Sequence, residues 1–289
     1  MFSDKLVLGT VQFGLDYGIS NSAGQTSNQE AFLILEKCIQ NGIHFIDTAR
    51  SYGISEEVIG NFNRDQFSII SKFYIDSEFP DIQSNLDHSL TKLKAESIYA
   101  YIAHDADQLL NKPELWDQLQ SMKSCGKINK IGYSLYHPDQ LEKLLELNFQ
   151  PDLVQVPYNI LDRRFESGFP FLQKSGCEIH TRSAFLQGLF FMNPDSLVAF
   201  FDPVRSYLYQ LNDRFPNAEK RAQFLLEFCI NNRNVNKIVF GVNTVSQLKQ
   251  NLEGFGKIFK IEDQDLIQSI PSLPQDILIP SLWPAKVKL

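Results

Sequence analysis

The chain reads as an α/β protein built as a single (β/α)8 TIM barrel, and three observations predict that class. Apolar, strand-like runs of three to six residues alternate with helical stretches eight times along the 289 residues. No Pro-, Gly- or Ser-rich linker interrupts the rhythm, so one domain over 1–289 is expected. Successive runs end on chemistry-bearing side chains, as strand C-termini do around a barrel mouth. A doubly wound sheet shares the alternation, but no G-x-G-x-x-G follows any of the runs.

The elements follow in order. Residues 5–8 form the first strand and lead into the segment LGTVQFGLDYG. Ser27, with Glu30 three positions on, is a capping box for a helix running to about 41, which Gly42 is placed to stop. Residues 44–46 are the second strand, ending at Asp47, and a short helix opens near Ser55. Residues 67–71 are the third strand, ending at Lys72, and Ile82, Leu86, Leu90 and Leu93 mark one helical face over 82–94. Residues 97–102 are the fourth strand, ending at His104; a helix over 113–125 and a fifth strand over 130–134 come next. Pro138 starts a helix to about 148, 153–156 is the sixth strand, 169–174 a helix and 177–182 the seventh strand. An aromatic, irregular stretch over 190–216 should hold short helices; a helix over 218–231, a strand over 237–240 and a helix over 245–255 complete the barrel. The tail 261–289, with its four prolines, is expected to pack on the barrel.

Composition limits the function. A net charge of −7 gives no footprint for nucleic acid, and no run of about 18 apolar residues exists to span a membrane. No secretory leader is visible, and Cys38, Cys125, Cys177 and Cys229 are scattered without a C-x-x-C pair. A cytoplasmic, reduced protein is the expectation. The five histidines show no H-x-H pairing, so no metal site is expected.

Asp47, Tyr52, Lys72 and His104 lie at or just past neighbouring strand ends, where a barrel brings an acid, a phenol, an amine and an imidazole to one cavity. A phenol with pKa near 10 is a poor acid at pH 7. An adjacent ammonium should lower that pKa, an aspartate should hold the ammonium, and the histidine can orient a carbonyl oxygen. The set is suited to protonating an alkoxide as hydride arrives.

The opening LGTVQFGLDYG, the IDTARSYG block, the lysine ending strand three and the histidine ending strand four together resemble the aldo-keto reductase family, in its bacterial-type form, over almost the whole chain. The resemblance implies Asp47, Tyr52, Lys72 and His104 as a catalytic tetrad with Tyr52 the general acid. It implies NADPH as cofactor, NADH being the alternative, bound extended across the barrel mouth. Gly9 and Thr10 would line that site, with Ser134 and Gln155 at the nicotinamide carboxamide. Arg182, Ser183, Phe185, Gln187 and Gly188 correspond to the loop that cradles the pyrophosphate. Gly241, Asn243, Gln247 and Asn251 correspond to the adenosine end, where only Lys249 is basic. Two departures stand out: Leu135 replaces the usual Asn after Ser134, and Arg182 replaces the aromatic that stacks on the nicotinamide. The guanidinium can stack in its place, or it can bind the pyrophosphate or pair with a neighbouring acid.

The partner implied is a small-molecule carbonyl substrate, and the protein a monomer or weak homo-oligomer. Gln12, Asp16, His137, Asn159 and Arg163 are candidates for a hydrophilic mouth, which points to a sugar-like compound. The LGTVQFGLDYG and RSAFLQG variants are also similar to members associated with carbohydrate biosynthesis. The competing reading is a nucleotide-binding regulatory or scaffolding protein with little turnover, its partner surface being Phe190, Phe191, Phe200, Phe201, Tyr207 and Tyr209.

Overall fold

Eight parallel strands pair in sequence order and close on themselves in the computed structural model, which describes residues 2–62, 64–253 and 264–284. They are β1 (Leu6–Gly9), β2 (Phe45–Asp47), β3 (Ser68–Phe73), β4 (Ile98–Ala103), β5 (Ile128–Ser134), β6 (Leu153–Pro157), β7 (Glu178–Arg182) and β8 (Lys237–Gly241). Short apolar runs suit this position, since a strand covered on both faces cannot afford regular polar alternation. Val7, Ile70, Ala100, Ile102, Leu153 and Val239 fill the barrel axis beneath the mouth. A larger apolar shell lies between the strands and the outer helices.

Besides shorter turns, the helices are α1 (Asn28–Gln40), α2 (Ser55–Gly60), α3 (Ile82–Leu93), α4 (Glu114–Ser124), α5 (Pro138–Glu146), α6 (Phe169–Lys174), α7 (Asp202–Arg214), α8 (Ala218–Asn231) and α9 (Val245–Leu252). Ser27 caps α1 by accepting from the Glu30 amide, and Gly42 leaves the helix with φ at 73°. The expected capping box is only half made. Glu30 turns its carboxylate to the Val245 amide at 2.6 Å, so it caps α9 instead and ties α1 to α9.

The 190–216 stretch is more regular than its composition suggests: α7 runs 13 residues and buries Val204, Tyr207, Leu208 and Leu211. Phe190 and Phe201 are buried as well, Phe191 and Phe200 pack against the core, and only Tyr209 of the six aromatics is largely exposed, at 40%. The expected aromatic partner surface is therefore mostly core. α9 ends at Leu252, and the remainder of its expected span at 254–255 lies outside the described residues. So do 261–263 and 285–289 of the tail; within it, Ile277, Leu278 and Ile279 are buried and Trp283 meets the Phe201 ring edge-on at 5.0 Å. Among the described residues no helix is long and apolar enough to cross a membrane, and no cluster of three or more His, Cys, Asp or Glu could hold a metal ion.

Candidate active site

Strand register brings the ionisable groups together. Asp47 pairs across to Gly9 and Ile70, and Lys72 lies two residues beyond Ile70 on the same face of β3. The Lys72 ammonium, 1% exposed as a residue, donates to Asp47 Oδ1 at 2.5 Å and to the Thr48 carbonyl at 3.0 Å. Its third contact is the Tyr52 hydroxyl at 3.4 Å. The second Asp47 oxygen accepts from Gln155 Nε2 at 2.7 Å, and the Asp47 carbonyl accepts from the Thr10 hydroxyl at 3.0 Å.

Tyr52 stands in the turn between β2 and α2, against the chain at Gly14. A Cβ on Gly14 would lie 1.8 Å from the Tyr52 carbonyl oxygen, so only glycine lets the two backbones approach. His104 follows β4 directly, its amide donating to the Phe73 carbonyl at 2.9 Å. The imidazole meets the Tyr52 ring edge-on at 5.5 Å, and Ser51 Oγ lies 2.8 Å from His104 Nδ1.

The electrostatics correct one expectation. The Tyr52 phenol is raised well above its usual value, first by burial and then by the Asp47 charge, with Arg182 opposing. Lys72 lies within hydrogen-bond range of the phenol without bringing it down to its usual value. Burial lowers the Lys72 amine, and Asp47 opposes that shift. His104 falls to about 3, from burial and from the charges of Lys72 and Arg182, so its imidazole is neutral over the physiological range.

A cavity of about 700 Å³ opens above these groups and runs from Tyr52 and His104 to Glu219, Gln247 and Asn251. Asp47, Tyr52, His104 and all thirteen residues expected at a cofactor line it: Gly9, Thr10, Ser134, Gln155, Arg182, Ser183, Phe185, Gln187, Gly188, Gly241, Asn243, Gln247 and Asn251. Lys72 sits behind Asp47 and Tyr52. Several features fit a dinucleotide. Ser183, Leu186, Gln187 and Gly188 all carry positive φ, which folds the loop tightly along the cavity wall, with the Leu186 and Gly188 amides spent on the Ser183 and Phe185 carbonyls. Gln12 Oε1 and Asn243 Oδ1 are buried without a partner on the cavity wall. A Cβ on Gly241 would sit 2.4 Å from Gln12 Nε2, so the wall is shaped by its missing side chain.

Other expectations fail. Of the proposed hydrophilic mouth only Gln12 lines the cavity. Asp16 accepts from Asn21, Asn159 holds the Ser183 carbonyl and the Leu161 and Asp162 amides, His137 caps α5, and Arg163 pairs with Glu166. Arg182 pairs with no acid among the described residues; its guanidinium lies 4.2 Å over the Tyr136 ring and donates to the Leu135 carbonyl at 3.1 Å. Tyr136 was not singled out from the sequence, although it stands two residues past Ser134, one strand period away. Ser51 and Tyr17 are further additions: Tyr17 accepts from Gln187 Nε2 at 3.0 Å, and the Ile19 amide donates to the Gln187 carbonyl at 2.9 Å, strapping the loop after β1 onto the loop after β7.

The aldo/keto reductase family model matches residues 5–271. An uncharacterized oxidoreductase, YqkF, of Bacillus subtilis (strain 168) is 23% identical over 278 residues, spanning 86% of this chain and 90% of that protein. The holo form of an aldo-keto reductase from Bacillus halodurans superposes with a TM-score of 0.75 at 21% identity, covering 93% of this chain and 92% of that one. An aldo/keto reductase from Klebsiella pneumoniae in complex with NADP and acetate gives a TM-score of 0.70 at 21% identity, covering 94% and 92%.

Proposed function

The chain belongs to the aldo/keto reductase family, and on that premise we propose that it reduces a small polar carbonyl compound to an alcohol, with Tyr52 as the proton donor. It is an NAD(P)H-dependent oxidoreductase. When bound, the dinucleotide, which we assign as NADPH with NADH the alternative, supplies a hydride to the carbonyl carbon.

Everything else is work for the chain. Tyr52 stays protonated at neutral pH and gives its proton to the carbonyl oxygen as negative charge builds there. Lys72, 3.4 Å from the hydroxyl, receives the phenolate that remains, and Asp47 keeps the ammonium in place. Gln155 in turn fixes the carboxylate. A Ser51 hydroxyl donated to Nδ1 leaves the His104 proton on Nε2, where a neutral imidazole can orient the carbonyl oxygen. The loop 183–188 and the segment 241–251 would hold the dinucleotide.

The observation that carries the reading is the buried ammonium of Lys72 bonded to both Asp47 and Tyr52. Its test is Tyr52→Phe, which should abolish reduction while NADPH still binds. We take 1–289 as one barrel domain, cytoplasmic and monomeric or weakly associating.

A further inference from the structure

Arg182 is the one Lys or Arg side chain among the described residues lining the cavity. Its setting is unlike that of five other arginines. Arg50, Arg163, Arg164 and Arg205 each reach a carboxylate: Asp76, Glu166, Asp162 and Asp202. Arg221 is spent on the carbonyls of Phe190 and Phe215. Arg182 donates only to neutral oxygens, Leu135 O at 3.1 Å and Ser183 Oγ at 3.3 Å, and no described acid pairs with it. Its guanidinium carbon lies 4.2 Å from the centre of the Tyr136 ring, which itself lines the cavity. A half-buried, uncompensated cation held in place with N–H groups left over is a receptor for a planar or tetrahedral anion.

We propose that Arg182 binds an anionic group, a carboxylate or phosphate, on the carbonyl substrate, so that anionic aldehydes and ketones are the preferred substrate class. The inference rests on the carbonyl-reductase reading above. The position of the charge favours the substrate as the source of the anion. Its field is felt at Tyr52, His104, Lys72 and Tyr17, the catalytic end of the cavity. The loop 183–188 lines the cavity as a separate segment for the cofactor diphosphate.

Two measurements test this. The first compares kcat/KM for 4-oxobutanoate against butanal, and for glyceraldehyde 3-phosphate against glyceraldehyde, in the wild type, Arg182→Gln and Arg182→Lys, with the NADPH dissociation constant of each. The wild type should prefer at least one anionic member. Arg182→Gln should collapse that preference by roughly 10- to 150-fold, the worth of a lost charge-assisted bond, and Arg182→Lys should retain part of it. The second titrates succinate and inorganic phosphate calorimetrically into the NADP+ complex, which needs no turnover; one of them should bind, and Arg182→Gln should weaken it by a similar factor. Turnover without anionic preference, or a preference that survives Arg182→Gln, overturns the proposal and leaves carbonyl reduction standing. Loss confined to NADPH affinity also overturns it, assigning the anion to the cofactor. Arg182-dependent anion binding with no turnover of any carbonyl supports the anion site and overturns the carbonyl-reductase reading.

Discussion

Replacing Asp47 by asparagine tests the buried centre of the site most severely. Asp47 accepts from Lys72 at one oxygen, 2.5 Å away, and from Gln155 at the other, 2.7 Å away. Asparagine has one acceptor oxygen, so either orientation of its amide sets an NH2 group against a donor. The alternative open to the fold is for Lys72 to shed its proton. Doing so at pH 7 costs about 1.36 kcal/mol for each unit below the ordinary 10.5, which caps the penalty near about 4.8 kcal/mol. Breaking one partner of a buried ion pair costs about 3–5 kcal/mol on other grounds, and the two figures agree. The sign with pH follows. A neutral Lys72 in the folded variant against a charged one in the unfolded chain means that the unfolded state binds more protons, so stability rises with pH. The deficit should shrink by up to about 2.7 kcal/mol between pH 7 and pH 9. Denaturant unfolding of wild type and Asp47→Asn at both pH values measures it. A loss below about 1 kcal/mol with no pH dependence, as for an exposed pair, would refute the buried ion-pair account.

Three further outcomes follow from the same geometry. His104 is held at about 3 in the folded state against 6.5 when free, so its contribution to stability is intact above 6.5 and is lost as pH falls from 6.5 toward 3, by at most about 1.4 kcal/mol per unit; His104→Gln should flatten that limb in acid unfolding curves. Gly14→Ala drives a methyl group into the Tyr52 carbonyl, and shifting that turn should cost about 1–3 kcal/mol in thermal unfolding and lower kcat more than it raises KM. Among the described residues the far end of the cavity is lined by Ala218, Glu219, Gln247, Gln250 and Asn251 without a Lys or Arg, and Arg221 is turned away to backbone carbonyls, so fluorescence titration should separate NADPH from NADH by less than about 100-fold.

Much of the site was legible because strand ends are one-dimensional signals. Asp47, Lys72 and His104 each follow an apolar run, and in a closed parallel barrel that alone brings them to one mouth. The cavity wall was legible for the same reason, since its residues occupy strand ends and the loops that follow. What the sequence hid depends on side-chain direction. Asn159 and Arg163 are polar loop residues near the mouth, yet one satisfies local backbone and the other a neighbouring carboxylate. The raised phenol of Tyr52 comes first from the depth of its burial, which spacing does not reveal. The Arg182–Tyr136 stack joins the ends of β7 and the loop after β5, a contact that only the packed fold defines. In the 190–216 stretch, a proline at the start of α7 and aromatics scattered through it broke the helical pattern, while burial of Tyr207 and Leu211 stabilises the helix in place.

The central claim is that Tyr52 supplies the proton, and the most direct measurement is single-turnover oxidation of prebound NADPH by a carbonyl substrate in Tyr52→Phe. The ring and its contacts with His104 and Lys72 remain, so the NADPH dissociation constant should stay close to that of the wild type. Without the donor, the rate of NADPH oxidation should fall by at least about 100-fold. A Tyr52→Phe protein that binds NADPH and oxidises it at the wild-type rate would contradict the account.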